Sequence, residues 1–252
     1  MKGRYIAAAA AVLVCGAAFI GCEGRSPGNE GPAQETPAAP ENAAPIDFSA
    51  GYVTVDDPSQ PPLYPKSYYP SSRSIVGRIN CCFDVPAGFR RTFEDENSYL
   101  VQYSDPSGVN IITAESWNGY TCDEVYRELK HSLSGKYSAE NMKTEENVKI
   151  GKYDYDAHCI SLINDSGTMK KNIMIWVIDK PVEDDEYERD SDGGYIYVTD
   201  ESTGEKVKKL SAHYCFTFAV ESAEENTEGM MKTALSFVTT REDMEKEGIY
   251  LG

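Results

Sequence analysis

Apolar positions along this chain fall into three regimes. An unbroken apolar run spans residues 6–20, a polar stretch rich in Pro and Gly follows to about Ser74, and short alternating or helical patterns fill the rest. The third regime predicts strands and helices. Residues 75–85 read as a strand closed by the turn Pro86-Ala87-Gly88-Phe89. Two shorter strands, 98–103 and 109–115, flank the turn Asp105-Pro106-Ser107-Gly108. Thr121-Cys122-Asp123-Glu124 forms a capping box, after which Val125, Leu129 and Leu133 recur at helical spacing to about Gly135. Strands resume at 143–150, 153–163 and 169–177, joined by Gly151-Lys152 and Asn164-Asp165-Ser166-Gly167. A last long strand covers 210–220, and Ser222-Ala223-Glu224-Glu225 caps a helix carrying Met230, Met231, Leu235 and Phe237. The tail from Thr240 reads as a short amphipathic helix. These elements predict an α+β fold, an antiparallel β-sheet with helices packed on its faces. Strands 75–85, 153–163, 169–177 and 210–220 are expected to share that sheet, with Leu129, Leu133, Leu235 and Phe237 buried on it.

The first regime carries Lys2 and Arg4 ahead of the apolar run and ends in Phe19-Ile20-Gly21-Cys22. A basic start followed by an apolar segment too short for a comfortable span is the layout of a secretory leader. A small residue before a cysteine resembles the lipobox of bacterial lipoproteins, in which that cysteine receives a diacylglycerol thioether and becomes the new N-terminus. On this reading residues 1–21 are removed, and the acyl chains (palmitate or similar) on Cys22 hold the protein to the outer face of the cell membrane. Two rivals stand beside it: cleavage after Ala18, releasing a secreted protein, and an uncleaved short anchor. Cys15 is a poorer lipidation site because bulky Val14 precedes it. All three readings place the remainder outside the cytoplasm.

Residues 22–74 then read as a disordered tether from the lipidated Cys22, since Gly, Pro, Ala, Glu and Asn bury too little apolar surface to offset chain entropy. Its later part alternates Tyr64, Tyr68 and Tyr69 with prolines, a polyproline-like recognition surface or side chains that lie against the domain. The formal net charge is −17, and loss of the two leader cations takes it to −19. Such a chain repels nucleic acid and anionic headgroups, and no basic stripe offsets it.

Chemistry-bearing clusters are sparse. Cys81, Cys82, Cys122, Cys159 and Cys215 follow the anchor cysteine; an exported protein can pair some of them, and the alternative is small buried hydrophobes. No Cys-x-x-Cys supports a thiol oxidoreductase. His158-Cys159 and His213-x-Cys215 offer zinc-type ligands on two strands expected to be neighbours, but their spacing matches no zinc motif. Glu188, Asp190 and Asp192, followed by Gly193, resemble the first half of a calcium loop. Thr199 stands where its closing Glu would be, so an EF-hand is out and a weak calcium site is weighed against a solvated acidic loop. Seven of the ten residues 183–192 are acidic, which predicts a mobile insert, 182–208, kept out of the core unless a cation or basic partner neutralises it. Deleting 183–192 is then expected to leave folding intact. No Gly-x-Ser-x-Gly elbow or phosphate loop exists, and no catalytic residue is assigned.

Phe83-Asp84-Val85-Pro86-Ala87-Gly88-Phe89 resembles the opening of the PsbP-like family. In the same order follow Val101-Gln102-Tyr103, Val109-Asn110-Ile111-Ile112, the helix from Thr121, the pair around Ile150-Gly151, and Ala234-Leu235-Ser236-Phe237. The resemblance implies a PsbP-like α/β/α sandwich over 75–240, interrupted by the acidic insert and followed by a short helical tail, 241–252. It brings no common catalytic residues and no resident cofactor. The expected function is a membrane-anchored, extracytoplasmic, non-catalytic binding or accessory module, with the bilayer and a cationic protein or membrane complex as partners and no nucleic acid. The alternatives are a surface hydrolase and a structural spacer.

Overall fold

A computed structural model describes residues 46, 48–54, 81–95, 100–165, 169–200, 203–211 and 213–248. The strands are β1 (Tyr52–Thr54), β2 (Cys81–Cys82), β3 (Asp84–Pro86), β4 (Arg90–Asp95), β5 (Leu100–Ser104), β6 (Ile111–Asn118) and β7 (Met142–Ile150). There follow β8 (Tyr155–Asn164), β9 (Lys171–Asp179), β10 (Tyr197–Thr199), β11 (Lys206–Lys208), β12 (Tyr214–Ala223) and β13 (Val238–Thr239). The α-helices are α1 (Cys122–Ser134), α2 (Thr227–Leu235) and α3 (Arg241–Lys246).

Seven strands form one sheet in the order β4-β5-β6-β12-β9-β8-β7, every neighbouring pair antiparallel. Its centre is set by composition. The Ile-Met-Ile-Trp-Val-Ile run of β9 and Cys-Phe-Thr-Phe-Ala-Val of β12 are apolar or small on both sides, so these strands lie where both faces are covered. The charged β7 lies at an edge, with its pairing to β8 broken by a bulge between Glu145 and Val148. Alternation along the strands divides the core in two. One face carries Trp176, Ile178, Phe216 and Phe218 toward α2, Phe237 and Met244. The other carries Ile160, Ile175 and Val177 toward Val125, Leu129 and Leu133 of α1. The architecture is therefore α+β, a mostly antiparallel sheet between helical layers. The capping box opens α1 as expected: the Thr121 hydroxyl accepts from Glu124 N (3.2 Å) and the Glu124 carboxylate accepts from Thr121 N (2.9 Å).

Four expectations are corrected. The described part of strand 75–85 is outside the large sheet: it breaks at Phe83 into β2, which pairs with β13, and β3, which pairs with β1. Phe83 interrupts it because its ring enters the core edge-on to Phe218 (5.0 Å) and Tyr103 (6.0 Å). Leu235 is 58% exposed, since α2 turns Met230 and Ala234 inward and ends before Phe237, which is buried from the following turn. The supposed tether contributes Ile46 and residues 48–54 to the folded unit, with Ile46 and Phe48 packed on the α2-side core. The acidic insert is folded, part of its charge met by cations of the same chain: Asp184 pairs with Arg189 (2.7 Å), Glu188 with Lys209 (2.7 Å) and Asp185 with Arg241 (3.0 Å).

The C-terminal helix makes one pH-dependent contribution. Burial works to raise the Asp243 pKa, but hydrogen bonds from Lys246, Tyr155 and Thr240 outweigh it and hold the carboxyl below its ordinary value. Bonds from Lys152 and Tyr153 likewise lower Glu247. Both folded-state values lie below the unfolded ones. Their stabilisation is complete above the unfolded carboxylate range and is lost as pH falls through the folded values. The melting temperature is expected to drop along an acid limb, and Asp243→Asn with Glu247→Gln should flatten it; an equally steep limb in that double variant would show the pairs contribute nothing.

Candidate functional site

At one end of the sheet the first residues of β8, the last of β9 and the first of β12 come together beneath the N-terminus of α1. The insert closes one side and the β7 bulge the other. They enclose a cleft of about 430 Å³ whose lining includes Asp123, Asp156, His158, Asp179, Glu186 and His213. Strand geometry explains the convergence. Asp156 and His158 are two residues apart, hence on the α1 side of β8, and Asp179 ends β9 in register with Cys215. Asn147, at the bulge, has φ 56°.

His158 Nε2 lies 3.0 Å from Asp123 Oδ1, and its ring packs against Tyr126 with centroids 4.5 Å apart. Nδ1 of His158 and the Tyr126 hydroxyl are buried with no hydrogen-bond partner among the described residues. Burial raises the Asp179 pKa, and repulsion from Asp156 and Asp123 adds to it, while His213 and His158 pull it back. Lys180 lines the same cleft but is committed elsewhere, donating to Glu183 Oε2 (2.8 Å) and Glu186 Oε1 (2.7 Å). Asp156 is itself paired with Lys149 (2.6 Å) and Asp123 with His158, so the cleft presents Asp179 as the carboxylate with no ion-pair partner among the described residues, and its lining lysine is already neutralised. That arrangement suits a small organic cation.

Nucleophilic chemistry is disfavoured at the neighbouring thiol. Cys122 donates from Sγ to Val177 O (3.3 Å), and burial, helped by Asp179 and Asp123, pushes it up to about 12. Cys159 rises to about 11 through burial. All five described cysteines are buried, and Cys122, Cys159 and Cys215 are free thiols, as the small-hydrophobe alternative expects of them.

Cys22, Tyr64, Tyr68 and Tyr69 lie outside the described residues. Glu188, Asp190 and Asp192 are not brought together. Glu188 binds Lys209, while Asp190 Oδ1 accepts the turn amides of Asp192 (3.0 Å) and Gly194 (2.8 Å). Among the described residues no group of three His, Cys, Asp or Glu is placed to hold a metal ion. His158 and His213 do share the cleft, yet β9 separates their strands, and Cys159 faces the opposite core. Sequence reasoning missed the grouping of Asp123, Asp156 and Asp179. The available signal was Asp156-x-His158, two polar positions on one face at the start of an apolar strand.

Among the described residues no helix is long and apolar enough to cross a membrane. No protein-family model matches the chain, and no curated protein matches its sequence. Among the solved structures similar in part are two of bacterial proteins. One is LpqN, involved in cell envelope biogenesis of Mycobacterium tuberculosis, at 9% identity and TM-score 0.37, over 61% of this chain and 76% of that one. The other is a protein of Bacteroides thetaiotaomicron, at 8% identity and TM-score 0.34, over 65% of this chain and 46% of that one. At these values neither likeness assigns the chain a family or an activity.

Proposed function

We propose that this chain is an extracytoplasmic lipoprotein, anchored by Cys22 to the outer face of the cell membrane. Its α+β domain, of PsbP-like type, is a non-catalytic binding or accessory module whose cleft takes a small organic cation. The observation that carries the ligand class is Asp179, without an ion-pair partner among the described residues, in a cleft with Asp123 and Asp156, the latter already pairing a cation in Lys149, and beside a lysine already paired. The state of Cys122 favours binding over catalysis, because its thiol is a buried hydrogen-bond donor beside His158 rather than a thiolate. The Tyr64–Tyr69 region and the bilayer complete the proposed contacts; the acidic insert, whose Asp184, Asp185 and Glu188 are already paired with cations of the same chain, is not among them.

Calorimetry with methylammonium, putrescine and guanidinium tests the cleft. Saturable binding is expected to weaken about ten-fold or more in Asp179→Asn, a loss of about 1.4 kcal/mol. Binding should also fade on acidification, beginning at higher pH than an ordinary aspartate would give, because the Asp179 pKa is raised. Identical isotherms for the native protein and the variant, or none with any of the three ions, would defeat the reading.

The anchor has its own test. Cys22→Ala should stop lipidation and leave the longer precursor unprocessed. Normal processing with full membrane retention in that variant would remove the lipoprotein assignment while leaving the cleft untouched.

A further inference from the structure

The cleft has two unlike walls. Asp123, Asp156 and His158 line it from α1 and β8, with Asp179 at the end of β9. The insert side presents Val182, Glu186 and Leu210. Backbone contacts tie two of these together: Tyr187 bridges to Leu210, and Ser211 N donates to Glu186 O (2.9 Å).

The polar group on the insert side is already used. Glu186 Oε1 accepts from Lys180 Nζ (2.7 Å) and Oε2 from Glu183 N (2.9 Å). What remains there is aliphatic: Val182 is 47% exposed and Leu210 is half-buried. A single exposed valine on a surface needs no explanation. Two aliphatic residues in the same cleft as Asp179 do more, because they offer a ligand apolar surface to bury while its charge is met. One carboxylate supplies two oxygens, too few for a hard metal ion, which takes about six or more. An ammonium group can be met by a single carboxylate.

We infer that the ligand is an amphipathic monocation, a primary amine on a short alkyl chain, with its ammonium at Asp179 and its chain along Val182 and Leu210. This deepens the reading of the cleft as an organic-cation site and rests on it. The aliphatic wall sets the selectivity. It favours a longer chain over a shorter one, because each methylene taken out of water adds to affinity. It disfavours a second charge at the far end, since an ammonium laid against valine and leucine loses hydration and gains no acceptor.

Calorimetry on the native protein with methyl-, propyl- and butylammonium and with putrescine tests this selectivity. Affinity should rise about two- to four-fold with each added methylene. Putrescine, the same four-carbon chain with a second ammonium, should bind at least about ten-fold more weakly than butylammonium. Val182→Ser should cut the rise from methyl- to butylammonium by about half or more. Leu210→Ala is the second variant, should the serine disturb the insert. A flat series, putrescine as tight as butylammonium, or a full rise in both variants would overturn the inference. If methylammonium still binds in that case and Asp179→Asn still weakens it, the organic-cation reading stands without this selectivity. No binding by any of the four ions, or binding that Asp179→Asn leaves unchanged, would defeat that reading and this inference with it.

Discussion

Asn110→Ala should destabilise the domain by about 3–5 kcal/mol, from stranded buried hydrogen-bonding groups at about 1–3 kcal/mol each. Asn110 is fully buried at the start of β6. Its Nδ2 donates to Asp105 Oδ2 (3.0 Å), and its Oδ1 accepts from Ala223 N (3.0 Å) and Asn226 Nδ2 (3.3 Å). Asp105 in turn accepts from Ser107 Oγ and from the amides of Val109 and Asn110, which fixes the turn between β5 and β6. Asn226 passes the chain of bonds on to Ile46 N. One amide therefore joins a local turn, the end of β12 and, through Asn226, the backbone at Ile46. Alanine would leave the Ala223 amide and one Asn226 hydrogen without a partner in a dry site. Asn110→Asp would instead set a second carboxylate against Asp105, so its deficit should shrink as pH falls through the carboxylate range. Urea unfolding reads both; a loss below about 1 kcal/mol for the alanine variant would mean the network relaxes around the gap.

The second large effect is expected at Lys180. Its side chain is 2% exposed, and Nζ lies between the Glu183 and Glu186 carboxylates, which are 20% and 17% exposed. Glu183 also accepts from Arg241 N (2.7 Å), so this lysine holds the insert to both the sheet end and α3. Lys180→Met would leave two desolvated carboxylates facing each other. Breaking a buried pair costs about 3–5 kcal/mol, and partial exposure of the acids should bring this nearer to about 2–3 kcal/mol. The loss should be local. Hydrogen exchange at the insert amides of Glu188, Ile196 and Lys209, which bond one another's carbonyls, should accelerate while β9 and β12 stay protected. Adding Glu183→Gln and Glu186→Gln should restore much of the protection by removing the stranded charges. Equal exchange in Lys180→Met and the native protein would show that the lysine does not hold the insert.

The same contacts hold residues 183–192 to the end of the sheet and to α3, against the expectation that the segment is mobile. A count of seven acids in ten residues says that the segment needs cations, but not whether they come from a partner or from the chain. Here they come from Arg189 within the segment, Lys180 and Lys209 at either end of the insert, and Arg241 of α3. Charge runs report local composition, and a neutralising group lies as far away as Arg241 is from Asp185.

Local spacing was sufficient for the elements themselves. The Thr121–Glu124 box and the Val125, Leu129, Leu133 stripe specify α1 and its inward face, because both are contacts within a turn or two of helix. Turn residues and alternation likewise specify β5 to β9 and β12 to within a few residues, and antiparallel pairing follows from the short connections. Tertiary packing decided the rest. Periodicity says which face a side chain occupies but not which strand comes next to it, so β9 could not be foreseen between the strands of His158 and His213. Nor could Asp123, Asp156 and Asp179 be grouped, since they meet only once β8 and β9 are paired and α1 is laid across them. The docking of Phe48 on Gly229 links residues 181 positions apart, in a stretch whose composition alone reads as tether. Local interactions choose the elements because their partners are already near in the chain; the cleft and the seat of Phe48 on Gly229 are long-range contacts, decided only when the folded core brings distant residues together.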